Sequence, residues 1–347
     1  MTRQIHVGPL AIGGGAPVTV QSMTNTDTRD VASTLAQIRH LADAGCDIVR
    51  VSVYDEACAE AVRELVDRSP VPLVADIHFN HRLAIRAAEN GIHKVRINPG
   101  NIGGKAHVEM LADCLKAHHI PVRIGVNAGS LEPELLRRYG SPNAAALVES
   151  AMRHARMLED CGFSDIALSM KASDVRTTVE AYQLASEVCD YPLHIGVTEA
   201  GGAGFGGTKS AIGIGALLLR GIGDTLRVSL TGDPAEEVAL GIEILRAVGL
   251  RRDFVEVISC PTCGRTCVDV AGLSEDVRRM TRDIRKPLKI AVMGCVVNGP
   301  GEAREADIGI AGGRDGGVLF RKGEPPRAVK GDLRETLMRE IRRLIDG

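Results

Sequence analysis

The sequence has almost no excess charge of either sign and no long apolar run. It carries 42 Lys and Arg against 44 Asp and Glu, a formal net charge of -2, so no overall basic field attracts nucleic acid or an anionic membrane. No stretch approaches the roughly 18 apolar residues of a membrane span, and the first residues lack the basic and apolar regions of an export signal. We therefore expect a cytoplasmic protein that binds neither nucleic acid nor membrane.

The chain also lacks the features of a disulfide framework. Its nine cysteines are an odd number in a long chain without an export signal, which favours metal binding or reactive chemistry. Five of them are scattered among apolar or helical stretches, where buried structural thiols are expected. The other four, which lie in the last third of the chain, are Cys260, Cys263, Cys267 and Cys295.

Nucleotide-binding motifs are missing as well. The Gly-rich segment GGAGFGGTKS at 201–210 matches neither GxxxxGK[ST] nor GxGxxG. A Gly-rich loop that enters a helix can offer backbone N–H groups to a phosphate, but a flexible lid or a simple turn has the same composition. The segment alone does not decide between these interpretations.

Between residue 18 and about residue 250, short apolar runs alternate with amphipathic stretches. The eight runs are VTVQS, DIVRVSV, LVADIH, KVRIN, VRIGVN, IALSM, LHIGVT and LRVSL. The predicted helices are 31–44, 56–68, 80–90, 104–119, 143–161, 173–189, 208–221 and 234–249. Eight strand-helix repeats predict an α/β fold of the (β/α)8 TIM-barrel type, although an open doubly wound sheet has the same periodicity.

Polar side chains at the ends of the predicted strands favour the barrel. Barrel active sites form where the carboxyl ends of all eight strands meet at one mouth, so residues from distant parts of the sequence converge there. These residues are Ser22, Arg50, Asp76, His78, Arg96, Asn98, Arg123, Asn127, Lys171, Thr198, Glu199 and Ser229. Four of them are cations: Arg50, Arg96, Arg123 and Lys171. Each cation alone fits a structural ion pair about as well as a ligand contact, but the four together predict an anion site.

After about residue 250 the pattern changes to that of a small α/β domain. Strands are predicted for FVEVIS, LKIAVM, DIGIA and VLFRK, and helices for 274–283 and 332–345. We therefore expect two domains, a substrate-binding TIM barrel over 1–250 and an α/β iron-sulfur domain over 251–347.

The iron-sulfur assignment depends on cysteines that follow two of these strands. CPTCGRTC at 260–267 has C-x2-C spacing, which lets two thiolates reach one metal centre, and GCVVNGPGE at 294–302 adds Cys295. No second C-x2-C and no His-x3-5-His follows, so a zinc ribbon is poorly supported. Counting thiols nominates Cys267 as the fourth ligand, whereas an exchangeable iron site favours a carboxylate such as Glu302.

These motifs resemble those of the 4-hydroxy-3-methylbut-2-enyl diphosphate synthases of the non-mevalonate isoprenoid pathway. The resemblance rests on SCPTCGR and GCVVNGPGE, and on VRVSV, KVRINPGN, RIGVNAGSL and GVTEAG in the same order. It spans nearly the whole chain, and it is to the shorter bacterial form, in which the cluster domain follows the barrel directly.

The resemblance implies a role for each candidate residue. The ligands of a 4Fe-4S cluster would be Cys260, Cys263, Cys295 and Glu302, with Cys267 outside the ligand set. The diphosphate of the substrate would be bound by Arg50, Arg96, Arg123, Lys171 and Ser229. Asn127 would contact a substrate hydroxyl, and Thr198 would lie with Glu199, the candidate proton donor, near the reacting carbons.

The implied reaction is the two-electron reductive ring opening and dehydration of 2-C-methyl-D-erythritol 2,4-cyclodiphosphate to (E)-4-hydroxy-3-methylbut-2-enyl diphosphate. Flavodoxin or ferredoxin would supply the electrons, and Glu302 would yield its iron position to the substrate. The resemblance also implies a homodimer in which the cluster domain of one subunit covers the barrel of the other. The alternatives are a phosphosugar or pterin-type barrel lyase or transferase with a structural metal, and a non-enzymatic iron-sulfur carrier.

Overall fold

A computed structural model of the chain describes residues 1–97, 102–297, 301 and 305–346. The chain divides into two compact units, 1–250 and 251–347. Within the described ranges, no helix combines the length and the apolar character that crossing a membrane requires.

The first unit begins with a short antiparallel hairpin, β1 (Ile5–Val7) and β2 (Leu10–Ile12). Its apolar side chains pack against residues near the amino ends of three later strands, namely Ile48, Val74 and Ala167. The hairpin therefore covers one end of the sheet described next with an apolar layer.

The following eight strands form a parallel sheet that closes on itself. They are β3 (Thr19–Met23), β4 (Ile48–Ser52), β5 (Leu73–Ile77), β6 (Lys94–Ile97), β7 (Val122–Asn127), β8 (Ile166–Lys171), β9 (His194–Ile195) and β10 (Thr225–Leu226). Their order is β8-β7-β6-β5-β4-β3-β10-β9, and a parallel bridge between Leu168 and Leu193 joins the two ends. The predicted TIM barrel is confirmed, and the open sheet is excluded.

Helices form the outer layer of this barrel. They are α1 (Val31–Asp43), α2 (Glu56–Arg68), α3 (His81–Glu89), α4 (Lys105–His118), α5 (Pro133–Tyr139), α6 (Ala144–Glu159), α7 (Val175–Val188), α8 (Ala203–Leu218) and α9 (Pro234–Ala247). Asp55 shows how one of them begins, because its carboxylate accepts a hydrogen bond of 2.8 Å from the N–H of Cys58 in the first turn of α2. The main core lies between helices and sheet, where strand residues such as Val49 and Val51 meet the apolar helix faces.

In its described part, the second unit is a five-stranded mixed sheet with two helices on one face. The strands are β11 (Val255–Ser259), β12 (Leu288–Met293), β13 (Ile308–Gly313), β14 (Gly316–Arg321) and β15 (Arg327–Val329). The first three are parallel and the last two pair antiparallel. Helices α10 (Val270–Thr281) and α11 (Leu333–Asp346) pack Leu273, Val277 and Leu337 onto this sheet.

Some elements differ from those that the sequence predicts. Its periodicity predicts neither the β1-β2 hairpin nor α5, because elements of three and seven residues are too short to show a repeat. Helix α8 begins at Ala203, not at 208, with Gly202 as its N-cap. Most of the Gly-rich segment is therefore helix, and the interpretation as a simple turn is wrong.

Candidate functional site

The barrel interior is lined by polar and cationic side chains instead of the branched apolar residues that usually fill it. Side chains alternate along a strand, and because Val49 and Val51 belong to the core beneath the helices, Arg50 between them faces the barrel axis. The same alternation directs a ring of buried or half-buried residues inward: Gln21, Asp76, Lys94, Arg96, Arg123, Lys171, His194 and Arg227.

A buried ion cluster joins three adjacent strands at the mouth. Arg96 of β6 is the register partner of Asp76 of β5, and its Nη1 lies 2.9 Å from Asp76 Oδ1. Arg50 Nε of β4 lies 3.6 Å from Asp76 Oδ2. Burial opposes ionisation of Asp76. The charge of Arg50, a hydrogen bond from His78 and the charge of Arg96 outweigh this effect, and together they lower the pKa of Asp76 well below the usual range. An ionised Asp76 therefore holds two guanidinium groups in place.

A second carboxylate holds Arg227, directly after β10. Glu237 of α9, only 4% exposed, accepts hydrogen bonds of 3.2 Å from Arg227 Nε and from Arg227 Nη2. It also accepts one of 3.1 Å from the hydroxyl of Ser22. The expectation that Ser22 lines the mouth is therefore wrong, because Gln21 occupies the inward position of β3 and Ser22 faces α9.

Three interior cations form no ion pair with a carboxylate in the described part of the chain. Lys94 is fully buried, Arg123 is 1% exposed and Lys171 is 8% exposed, and neither Lys94 Nζ nor Arg123 Nε has a hydrogen-bond partner. Burial and nearby cations, Arg123 first among them, lower the pKa of Lys171 well below its usual range. A buried charge without a counter-charge is unfavourable, so this interior is suited to an anionic ligand.

Two glycines leave space for the side chains of Arg96 and Lys171 in the barrel interior. A Cβ at Gly125 would lie 2.5 Å from Arg96 Nε, and a Cβ at Gly196 would lie 2.8 Å from Lys171 Nζ. Any larger residue at either position would displace a cation of the interior. The glycines of RIGVN and HIGV are thus part of the geometry of the mouth.

The remaining predicted mouth residues lie where strands end. Asn127 is the register partner of Lys171, and it is half-buried, as is Ser229. The N–H of Thr198 donates to the carbonyl of Ala172 at 3.2 Å, which ties the chain after β9 to the end of β8.

Among the described residues predicted for the mouth, Glu199 and His78 are the exposed ones. Glu199 is exposed and has a φ of 52°, a left-handed conformation that is unfavourable for a residue with a side chain. His78 is 52% exposed, and its Nε2 lies 3.6 Å from Asp76 Oδ2 and 3.4 Å from Arg96 Nη1. Asn98 lies outside the described residues.

Reasoning from strand ends misses four interior residues: Gln21, Lys94, His194 and Arg227. All four lie within the strands or directly after them, below or beside the predicted positions. The signal that identifies them is the alternation of side chains, because a residue two positions before a mouth residue faces the same side of the sheet.

The cysteine-bearing loops lie at one edge of the second unit. Cys260 follows β11, and Cys295 follows β12 after one glycine. Because these strands are parallel neighbours, their carboxyl ends bring the two loops together. The N–H of Gly294 donates to Cys260 Sγ at 3.1 Å, and the N–H of Cys267 donates to the carbonyl of Gly294 at 2.8 Å.

The side chains of these cysteines differ in their surroundings. Cys260 and Cys295 are half-buried, and Cys263 and Cys267 are exposed. Cys267 lines a cavity of about 340 Å³ whose described lining includes Asp269 and Arg334 but not Cys260. Its thiol donates to the carbonyl of Arg265 at 3.3 Å.

The donor set fits an iron-sulfur cluster by its chemistry. None of the nine cysteines forms a disulfide, thiolates are the usual ligands of such clusters, and an N–H···S hydrogen bond of the kind made by Gly294 stabilises a cluster-bound sulfur. Among the residues that can be described, no three His, Cys, Asp or Glu side chains are arranged to share one metal ion. Glu302 lies outside those residues.

Two protein-family models match the chain. The GcpE TIM-barrel domain matches residues 2–242, and the GcpE protein C-terminal domain matches residues 256–343. These ranges cover the barrel and the mixed sheet in turn.

Curated relatives are similar over the whole length. A protein of Caldanaerobacter subterraneus subsp. tengcongensis is 57% identical over 99% of this chain and 98% of its own, and one of Nitratidesulfovibrio vulgaris is 57% identical over 98% of this chain and 89% of its own. Both are named 4-hydroxy-3-methylbut-2-en-1-yl diphosphate synthase (flavodoxin).

Solved structures of other enzymes share the fold alone. The N-acetylneuraminic acid synthetase of Leptospira borgpetersenii superposes with a TM-score of 0.53 at 15% identity over 82% of this chain and 99% of its own. The dihydropteroate synthase of Yersinia pestis superposes with a TM-score of 0.50 at 14% identity over 72% of this chain and 98% of its own. A family model matches each of the two units, and the curated relatives are 57% identical over nearly the whole chain. The chain therefore belongs to the GcpE family of 4-hydroxy-3-methylbut-2-en-1-yl diphosphate synthases.

Proposed function

We propose that the chain reduces 2-C-methyl-D-erythritol 2,4-cyclodiphosphate to (E)-4-hydroxy-3-methylbut-2-enyl diphosphate, with opening of the ring and loss of water. The observation that carries this proposal is the set of buried cations without a described carboxylate partner, Lys94, Arg123 and Lys171. A cyclic diphosphate carries one negative charge on each phosphate and would supply the missing counter-charge. Family membership favours this reaction over that of a phosphosugar or pterin-type lyase, because the likeness to dihydropteroate synthase extends to the fold alone.

The diphosphate binds at the inward-facing cations. Its ligands are Arg50, Arg96, Arg123, Lys171 and Ser229. Asp76 already orients two of these guanidinium groups through contacts of 2.9 and 3.6 Å, so little conformational freedom is lost when the substrate arrives. Asn127, beside Lys171 in the register, accepts or donates a hydrogen bond to a substrate hydroxyl.

Proton transfer is assigned to the rim. The exposed carboxyl group of Glu199 donates a proton to the departing hydroxyl, which leaves as water. Thr198, whose N–H is fixed to the carbonyl of Ala172, positions the backbone that carries Glu199.

A 4Fe-4S cluster would be held by Cys260, Cys263, Cys295 and Glu302, with Cys267 outside the set. When bound, the cluster supplies the two electrons and a Lewis-acidic iron. The chain contributes the thiolates, the N–H of Gly294 that donates to Cys260 Sγ, and a carboxylate ligand that leaves more readily than a thiolate.

Further parts of the proposal concern partners and location. Flavodoxin or ferredoxin delivers the electrons, and the relatives' printed name supports flavodoxin. The protein is a cytoplasmic homodimer in which the cluster domain of one subunit serves the barrel of the other.

Anaerobic reconstitution tests the cofactor and the reaction together. The protein is loaded with iron and sulfide, its iron, sulfide and zinc contents are measured, and turnover of the cyclodiphosphate is assayed with a reducing dye. We expect a brown protein with about four iron atoms per chain. A colourless, active protein that contains zinc would overturn the proposal.

Substitutions test the ligand set. Cys263→Ser should lose the cluster, and the matched variant Cys267→Ser should keep both the cluster and turnover. Glu302→Ala should abolish turnover, and full turnover with an intact cluster would contradict the role assigned to Glu302.

A further inference from the structure

Lys94 lies in the barrel interior beneath the residues that are predicted to bind the diphosphate. It is the first residue of β6, two positions before Arg96, so both side chains face the barrel axis. Its exposed fraction is 0%. No described residue accepts a hydrogen bond from its Nζ, which is unusual because lysine is rarely buried without a partner.

Side chains from several strands share the barrel interior with Lys94, and Arg123, Arg50 and His194 interact with it electrostatically. The cations facing the interior are Arg50 of β4, Arg96 of β6, Arg123 of β7, Lys171 of β8 and Arg227 after β10. His194 of β9 also faces inward and is fully buried, with its Nε2 unpartnered. The carboxylates among them are Asp76, which is occupied by two guanidinium groups, and Glu237, which is occupied by Arg227.

We infer that Lys94 is a positioning residue that takes up a proton from solvent when the anionic substrate binds above it. This inference rests on the proposed function, because it requires a diphosphate at the mouth. In the free protein, the surrounding cations oppose a further positive charge. A dianion at the mouth offsets those cations and favours the charged ammonium.

The electrostatic surroundings give this inference a pH window. Burial, then Arg123 and Arg50, lower the pKa of Lys94 to about 7 in the free protein, and the bound diphosphate raises it. Below pH 7 Lys94 is already protonated, so no proton is taken up there. Above pH 7 the free protein lacks this proton and the complex gains it, so proton uptake increases and affinity falls as the pH rises.

The ligand itself does not titrate in this window. Each phosphate of a cyclic diphosphate has one ester bond and one anhydride bond, and its single acidic proton is lost far below pH 7. Any proton uptake above pH 7 therefore belongs to the protein. Besides Lys94, the groups that can contribute are Lys171 and His194, whose pKa values are also lowered by burial and nearby cations.

Calorimetric titration of the cluster-loaded enzyme without reductant tests the inference. The cyclodiphosphate is titrated at pH 6 and pH 8, each in two buffers of different ionisation enthalpy, so that the number of protons bound can be calculated. We expect little uptake at pH 6 and a measurable fraction of a proton at pH 8. Binding without uptake at pH 8 would overturn the inference alone, and absence of binding would overturn the proposed function as well.

Substitution assigns the proton to this residue. Lys94→Met has a similar length and no charge, so proton uptake at pH 8 should fall. At pH 6 this variant should bind the cyclodiphosphate about tenfold more weakly than the native protein for each unit by which the bound ligand raises the pKa of Lys94. Lys116→Met is the control, since this exposed lysine at the end of α4 pairs with Asp113. Unchanged uptake in folded Lys94→Met would contradict the assignment. If that variant does not fold, binding without uptake by the native enzyme at pH 8 would still overturn the inference.

Discussion

Arg96 and Arg123 occupy equivalent positions on neighbouring strands, yet they differ in what satisfies their charge. The two are register partners in β6 and β7. Arg96 pairs with Asp76 at 2.9 Å, whereas Arg123 forms no ion pair with a described carboxylate and its Nε is unpartnered. One guanidinium is thus part of the folded structure's own ion cluster, and the other is available to a ligand.

This difference predicts opposite outcomes for two matched substitutions. Arg123→Met removes an unpaired buried charge, so the free energy of unfolding should stay the same or increase, while affinity for the cyclodiphosphate should fall about 10- to 100-fold. Arg96→Met should weaken binding and also cost about 3 kcal/mol of stability, because it breaks a buried pair. Titration calorimetry and denaturant unfolding measure the two quantities, and equal loss of stability in both variants would contradict the distinction.

Asp76 should control stability in a pH-dependent manner. Asp76→Asn leaves two buried guanidinium groups without a carboxylate and should destabilise the protein by about 3 to 5 kcal/mol at pH 7. Because the folded-state pKa of Asp76 is lowered from 3.8, the native carboxylate contributes fully above that value and loses its contribution as the pH falls through the lower folded-state pKa.

The difference in unfolding free energy between the native protein and Asp76→Asn should therefore be constant from pH 5 to pH 7 and shrink below about pH 4. Denaturant unfolding at several pH values measures it. Asp113→Asn is a control, since that carboxylate lies on the surface beside Lys116. A difference that grows on acidification would exclude this role for Asp76.

At the scale of the element, helix α8 is notable for its glycines, which would ordinarily weaken a helix. Gly213 lies against the strand layer, and a Cβ there would lie 2.8 Å from Val197 Cγ2. Gly215, two positions further and on another side of the helix, has no atom within 4 Å of a Cβ. Close packing therefore explains the first glycine and not the second.

Alanine at these two positions should change stability in opposite directions. Gly213→Ala should cost about 1 to 3 kcal/mol, because the added methyl group overlaps Val197. Gly215→Ala should add about 0.5 to 1 kcal/mol, because alanine favours the helix and meets no neighbour. Thermal and denaturant unfolding compare them, and stabilisation by Gly213→Ala would show that the helix can move away from the barrel.

At the scale of the whole molecule, the candidate chemistry is divided between two units of the chain. The unpaired cations lie in 1–250, and the candidate cluster ligands lie in 251–347. The proposed homodimer would unite them between subunits. Complementation between inactive variants can distinguish this arrangement from one that acts within a single chain.

Mixed dimers of Arg123→Met and Cys263→Ser provide that test. If one subunit's cluster serves the other's barrel, each mixed dimer contains one intact site, and co-expression in equal amounts should restore about one quarter of native activity. If both parts act within one chain, every site lacks either a cation or a ligand, and activity at limiting substrate should not exceed that of the variants expressed alone. Each variant expressed alone is the control.

The sequence by itself determined the elements and the identities of the candidate residues. Eight repeats of an apolar run followed by an amphipathic stretch predict alternating strands and helices, because period-two and period-3.6 patterns are local properties of the chain. The polar residues at the strand ends then favour a barrel over an open sheet. The C-x2-C spacing of Cys260 and Cys263 is local in the same way. Short elements such as the β1-β2 hairpin carry too few residues for a pattern, and so they could not be predicted.

Only the tertiary structure decided which charges are satisfied. Strand register and burial determine which charged groups meet. Asp76 pairs with Arg96 and Arg50, and Glu237 pairs with Arg227 and accepts a hydrogen bond from Ser22, which faces outward. Lys94 and Arg123 have no described carboxylate partner. Charges interact through space and not along the chain, and their energies depend on how much water the fold excludes. For this reason the four cations at the strand ends could be predicted from the sequence, but neither the interior Lys94 nor the absence of a described carboxylate partner for Arg123 could be.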